Sequence, residues 1–143
     1  MKRLHVSLGV SDLAASTRFY SAMFGHAPTL ERDGYAQWEL EDPSVNFVIE
    51  ASADRHGVTH LGVQASNEQE LQEQYTRVDA TGHEVLDQGD TQCCYAKSTK
   101  NWVSDPDGTL WETFQTHSRS DEYGEVLAAE QVPAPQRQSA GCC

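Results

Sequence analysis

Basic residues are scarce: ten Lys and Arg stand against 22 Asp and Glu, giving a formal charge of -12 at pH 7. Such a chain repels phosphate backbones and anionic lipid headgroups, so nucleic acid and membrane surfaces are excluded as expected partners. Long apolar runs are missing too. None approaches the ~20 residues needed to span a bilayer, and the opening MKRLHVSLGV has neither the apolar core nor the cleavage site of a signal peptide. The expectation is a soluble, cytoplasmic protein. Cysteine is rare, and its four copies form two adjacent pairs, Cys93-Cys94 and Cys142-Cys143, not the spread of a disulfide framework. Adjacent Cα atoms sit ~3.8 Å apart, below the roughly 4.4–6.8 Å that a disulfide prefers, so a ring closed within either pair is strained. Apolar content is not lacking. At 38% hydrophobic residues the chain can bury a core, which excludes wholesale disorder, and 143 residues suit one compact domain or two small fused modules.

An internal repeat organises the sequence. His5-Val-Ser-Leu-Gly-Val-Ser-Asp and His60-Leu-Gly-Val-Gln-Ala-Ser-Asn are near copies, and duplication explains them most simply. Val6, Leu8 and Val10 in one, and Leu61, Val63 and Ala65 in the other, alternate with His and small or polar residues, the period of a half-buried strand. A helix follows each strand, capped by Ser11 or Asp12 in the first copy and by Ser66 or Asn67 in the second. Leu13, Phe19, Tyr20, Met23 and Phe24 mark the core stripe of the first helix; Leu71, Tyr75 and Val78 mark that of the second. Gly25 and Gly82 stand where left-handed C-caps are expected.

Short strand-like runs come next: Tyr35 to Glu41 and Val45 to Glu50 in the first half, then Glu84 to Leu86, Tyr95 to Ser98, Asn101 to Ser104 and Thr109 to Phe114. Asp42-Pro43 and Asp105-Pro106-Asp107-Gly108 are turn signals at corresponding places. The pattern predicts an α+β fold of two tandem βαβββ modules, about 1–55 and 56–116, forming a curved, partly closed mixed sheet with a site in its cavity. Residues 117–143 are polar and rich in Pro, Ala and Gln, and read as a flexible tail with one helical stretch near Tyr123 to Gln131.

Symmetry between the modules makes neighbours of His5 and His60, each opening the first strand of its half. Two imidazoles and one carboxylate form the facial triad that holds Fe(II) with coordination positions open. Glu112, a lone acid in the apolar strand Thr109-Leu-Trp-Glu-Thr-Phe, is the best candidate for the third ligand, and its charge there asks for a partner. Glu50 is its rival. Counted from the shared Asp-Pro, however, the residue equivalent to Glu112 is Ile49, and an offset of one residue turns the side chain to the other face. His26, His56, His83 and His117 fall in turns, loops or the tail and read as surface histidines. Cys93-Cys94 reads either as two small apolar residues in a hairpin or as a dithiol clamp for a soft centre such as Zn(II), Cd(II), Cu(I) or trivalent arsenic. Adjacent side chains on a regular strand point to opposite faces, so gripping one atom requires a turn. Gly89 and Asp90, just upstream, predict a loop there.

With the repeat, His5, His60, Glu112 and the Asp-Pro-Asp-Gly turn before Trp111-Glu112, the chain resembles the vicinal oxygen chelate superfamily, which includes glyoxalases, bleomycin and fosfomycin resistance proteins and extradiol dioxygenases. The run Cys93-Cys94-Tyr95-Ala96-Lys97, with Asn101-Trp102-Val103-Ser104-Asp105-Pro106, is more specific. It resembles the organoarsenical carbon–arsenic lyases and the cadmium-inducible proteins related to them, as do Met1-Lys2-Arg3-Leu4-His5-Val6 and Glu41-Asp42-Pro43-Ser44-Val45-Asn46-Phe47. The resemblance implies His5, His60 and Glu112 as Fe(II) ligands and Cys93 and Cys94 as substrate-binding thiols. It implies dioxygen as co-substrate and oxidative release of arsenite from trivalent methyl or aromatic arsenicals, by a monomer or homodimer. Two alternatives stand beside it: a non-catalytic Cd(II)- or arsenite-binding protein, and a glyoxalase-like or antibiotic-modifying metalloenzyme. The Cys142-Cys143 pair lies outside the resemblance.

Overall fold

The computed structural model describes residues 1–124, 127 and 129–135, with the backbone alone at Cys94. The Cys142-Cys143 pair lies outside the described residues. The chain divides into two compact units, Met1–Gln64 and Ala65–Cys143; the repeat in the sequence suggested a boundary near residue 55.

The first unit runs β1 (Arg3–Val10), α1 (Leu13–Phe24), β2 (Leu30–Arg32), β3 (Tyr35–Glu41), β4 (Ser44–Ala51) and β5 (Gly57–Ala65), so its opening five elements realise the expected βαβββ module. Strand β1 lies parallel to β4 and antiparallel to β5, and β4 continues antiparallel into β3 and β2. Asp12 starts α1, its carboxylate accepting from the Ala15 amide at 2.9 Å, and Gly25 ends it at φ 69°, a conformation that a Cβ would disfavour. The core gathers Trp38, Phe47 and Ile49 beneath Tyr20 and Phe24 of α1. Tyr20 meets Phe47 at 4.7 Å between ring centroids and Phe24 meets it at 5.1 Å, distances at which aromatic pairs attract. The expected helix stripe is narrower than its apolar residues suggest. Leu13, Tyr20 and Phe24 pack inward, whereas Phe19 and Met23 are 61% and 58% exposed, because the arc facing one sheet accommodates only part of the apolar surface.

The second unit holds α2 (Glu68–Asp79), β6 (Leu86–Ser104), β7 (Leu110–Gly124) and a short 3-10 turn at Ala129–Gln131. Asn67 caps α2 through the Glu70 amide, and the Glu70 carboxylate accepts from the Ser66 amide, each at 2.9 Å, a reciprocal capping arrangement. The helix ends at Ala80 in right-handed geometry, and the positive φ of Gly82 serves the turn that follows instead of capping the helix directly. Leu71 and Val78 are buried. The separate short runs expected between Glu84 and Ser104 merge into the single strand β6, whose antiparallel ladder with β7 supplies cross-strand hydrogen bonds that local sequence does not encode. At the turn, Asp105 accepts from the amides of Asp107 and Thr109 at 3.0 and 2.9 Å; the Thr109 bond first, then that of Asp107, holds its carboxyl below the usual carboxylate range. Strand β7 passes the expected core boundary at Thr116 and runs to Gly124. Tyr123 is therefore in a strand and not in the helical stretch read from the sequence. Among the described residues, no helix is long and apolar enough to cross a membrane.

Candidate metal centre and thiol pair

In the first unit, β1 and β5 bring the two repeat histidines together. His5 stands opposite Gly62, and His60 opposite Ser7, so the imidazoles are diagonal neighbours on one face of an antiparallel pair. Gly62 has no side chain to occupy the space across from His5. The two Nε2 atoms face each other at 3.1 Å, with ring centroids 5.0 Å apart.

Each ring is oriented from its other nitrogen. His5 is buried, and its Nδ1 lies 3.0 Å from the Asn46 carbonyl. A carbonyl only accepts, so that nitrogen carries the proton and Nε2 of the neutral ring presents a lone pair. Thr59 Oγ1 lies 3.2 Å from the Ser7 carbonyl, to which it donates. Its oxygen then accepts from His60 Nδ1 at 3.4 Å, again turning the proton away from Nε2. Asn46 is itself clamped, accepting from Gln37 at 2.8 Å and donating to Gln64 at 3.1 Å. Two lone pairs converging at this distance repel unless something positive lies between them. Two nitrogens bound at a right angle, each ~2.1 Å from one ion, would be about 3.0 Å apart. The donor set therefore fits a divalent metal, and a neutral imidazole whose second nitrogen is hydrogen-bonded is the form in which histidine binds one.

Glu50 lies opposite Gly9, four residues along β4 from Asn46, the partner of His5. Four strand residues are roughly 13 Å, which removes Glu50 as a ligand beside His5.

In the second unit, Glu112 lies in β7 opposite Trp102 of β6. Its Oε1 accepts from Lys100 Nζ at 2.5 Å, both side chains being almost wholly buried. The ammonium also stands 5.7 Å from the centre of the Phe114 ring. The partner that a buried acid demands is thus Lys100, a residue that sequence reasoning passed over. Its signal is only its place, two residues from the position facing the acid.

Cys93 is half-buried. The loop expected around the cysteine pair is absent: both residues are in β6. Gly89 does take the positive φ of a turn residue, 58°, but the strand absorbs it without reversing direction. An irregularity follows the pair directly, since the register shifts between Cys94 and Ala96, and strict alternation of side chains lapses at such a break. His117, expected in the tail, is an exposed β7 residue with Nε2 2.6 Å from Thr99 Oγ1. His83, half-buried, donates from Nδ1 to the Ser104 carbonyl at 2.9 Å, and His26 and His56 are exposed.

Residues 2–113 match the family described as the Glyoxalase/Bleomycin resistance protein/Dioxygenase superfamily. The chain is 36% identical to the trivalent organoarsenical cleaving enzyme of Bacillus sp. (strain MD1), over all of this chain and 91% of that protein. It is 30% identical to the cadmium-induced protein CadI of Mycobacterium tuberculosis (strain ATCC 25618 / H37Rv), over 87% of this chain and 82% of that one. Among solved structures, the Mn(II)-bound glyoxalase from Novosphingobium aromaticivorans superposes with a TM-score of 0.57 at 20% identity, covering 93% of this chain and 46% of that one.

Proposed function

The chain belongs to the Glyoxalase/Bleomycin resistance protein/Dioxygenase superfamily, and on that premise we propose that it is an Fe(II)-dependent, dioxygenase-type carbon–arsenic lyase acting in the cytoplasm. Relatives named as trivalent organoarsenical cleaving enzymes, at 34–36% identity, support an arsenical-cleaving role. The observation that carries the reading is the pair of facing Nε2 atoms, in a chain that also bears two adjacent thiols.

In this reading His5, His60 and Glu112 would hold the metal, and Cys93 and Cys94 would hold the substrate. When bound, the ion supplies Lewis acidity and a place for dioxygen to be activated. The protein's own residues do the rest. The Asn46 carbonyl and Thr59 hydroxyl keep both imidazole protons on Nδ1. Lys100 donates to the Oε1 of Glu112 and so keeps the buried carboxylate ionised and oriented. The two cysteine thiols displace two hydroxyls from arsenic, releasing two waters, and so orient the carbon–arsenic bond, a positioning effect that lowers the barrier. For methylarsenite the atoms balance with one dioxygen consumed per arsenite and one-carbon aldehyde released. The substrate is uncharged near neutral pH, so the acidic surface does not repel it.

Arsenite formation from methylarsenite with Fe(II) under air tests this reading. Catalytic release under air and none under argon is expected; equal release without oxygen rejects the dioxygenase chemistry. Similarity to a cadmium-induced protein favours one second reading, a binder of Cd(II) or arsenite that performs no reaction. It predicts arsenical uptake that saturates stoichiometrically, with no oxygen consumed.

A further inference from the structure

On the first unit's sheet, Trp38 of β3, Phe47 of β4 and Val6 of β1 pack with the aromatic residues of α1. Alternation along each strand therefore sends Gln37, Asn46 and His5 to the opposite face. Gln64 joins them there. The β1–β5 register is regular from Arg3↔Gln64 to Ser7↔His60, so Gln64 shares a face with His60, whose Nε2 meets that of His5.

Three carboxamides are strung together on this face. Gln37 Nε2 donates to Asn46 Oδ1 at 2.8 Å, and Asn46 Nδ2 donates to Gln64 Oε1 at 3.1 Å. The second bond bypasses a whole strand, because β1 lies between β4 and β5, which are thus roughly 9–10 Å apart. Asn46 pairs with His5 and Gln64 with Arg3, so the bond crosses β1 between those two residues. Asn46 is 3% exposed and Gln64 8%. Burying amides costs stability unless they are hydrogen-bonded, and apolar side chains of the same shape would close the face as well. What a satisfied buried network supplies instead is rigidity. Asn46 accepts at one end of its amide and donates at the other, so turning that amide over would break both bonds. The residue locked in this way is the one whose carbonyl stands 3.0 Å from His5 Nδ1.

We propose that Gln37 and Gln64 are positioning residues of the metal centre: through Asn46 they hold His5 in the orientation and tautomer that present the Nε2 lone pair to an ion. This rests on the metal-dependent reading above. With either end of the relay cut, Asn46 can turn, and its carbonyl passes the ~3.5 Å beyond which a hydrogen bond is lost. His5 then samples both tautomers and other ring orientations, and binding an ion must first restore the competent one.

The test uses the full chain with its histidines labelled with nitrogen-15, first with chelator present, in mildly alkaline buffer. Long-range proton–nitrogen spectra report the tautomer of each imidazole, and a His5→Asn sample assigns the His5 signals. The parent chain should show His5 protonated at Nδ1 alone. Gln64→Met keeps the length of the side chain but removes the acceptor, so both His5 nitrogens should move toward the average of the two tautomers. Mn(II) affinity, measured by equilibrium dialysis, should fall about 10- to 100-fold, the usual effect of losing a group that orients a ligand. Gln37→Met cuts the other end and should shift both quantities in the same direction. Gln64→Glu preserves the acceptor and should restore the parent tautomer. A merely structural role would move the urea midpoint and leave the His5 signals in place. The assignment is overturned if Gln64→Met and Gln37→Met leave either the tautomer or the affinity at the parent value. A parent chain that binds no divalent metal rejects the metalloenzyme reading instead, while the metal-free spectra still decide whether the relay sets the tautomer.

Discussion

The Lys100–Glu112 pair allows a sharp test of how the buried acid is held. The Nζ to Oε1 distance is 2.5 Å, with side-chain exposures of 5% and 6%. Water therefore screens little of the interaction, and both charges have already lost most of their hydration. Lys100→Met keeps the length of the stem but removes the ammonium, so the carboxylate remains buried beside a thioether. Breaking such a pair from one side costs about 3–5 kcal/mol, a large part of the roughly 5–15 kcal/mol that stabilises a domain. Replacing both partners, with Lys100→Met and Glu112→Leu together, removes the desolvation cost along with the attraction and should come out within about 1 kcal/mol of the parent chain, or above it. Urea unfolding with chelator present measures both variants, and a double-mutant cycle isolates the coupling. A divalent metal present at a hundredfold excess over its Kd adds about 2.7 kcal/mol to a protein that binds it only when folded. If Glu112 is a ligand, the ion supplies a positive partner that Lys100→Met lacks, so the single variant should gain more from Mn(II) than the parent chain does. A loss below about 1 kcal/mol in Lys100→Met, or a double variant as unstable as the two single changes summed, would refute the argument that the pair is electrostatically closed off from solvent.

Other consequences follow from the same structure. His60→Ala should lower Mn(II) affinity by more than about 100-fold, beyond the usual effect of changing a residue that only orients a ligand; equilibrium dialysis that finds the affinity unchanged would remove His60 from the metal set. Gly9→Ala should destabilise the fold by about 1–3 kcal/mol, because the new Cβ would lie 1.8 Å from the Arg55 carbonyl oxygen; an unaltered urea midpoint would mean that the segment around Arg55 yields freely. Burial, reinforced by Asp87, Asp90 and Glu112, pushes the Tyr75 phenol up to about 12 from 10.0. A raised acid pKa in the folded state means that the unfolded chain ionises first. The contribution of Tyr75 is thus intact below pH 10 and declines between pH 10 and 12. Tyr75→Phe should flatten that part of the stability profile, and because the buried hydroxyl has no hydrogen-bond partner among the described residues, it should also stabilise the protein near pH 7 by about 1 kcal/mol.

Much of this protein was readable from short-range pattern. The two near-identical strand openings, the caps at Asp12 and Asn67 and the turn at Asp105-Pro106-Asp107-Gly108 depend on neighbours in the chain, and local chemistry determines them. So does the identity of the two repeat histidines as a pair, because duplication copies position as well as residue. Tertiary structure alone decided which nitrogen of each imidazole is presented, since the partners that hold Nδ1, the Asn46 carbonyl and the Thr59 hydroxyl, are set by strand register and leave no mark in composition. It likewise decided that Lys100 answers Glu112, that Glu50 sits opposite Gly9, and that the cysteine pair lies in a strand. Gly89 and Asp90 carry the chemistry of a turn, yet both lie within β6, the strand whose ladder with β7 runs from Cys94 to Ser104. The same ladder carried β7 past Thr116, where polar composition suggests a tail. Backbone pairing is indifferent to side-chain polarity, so a polar segment with a partner strand becomes structure that its own residues do not announce.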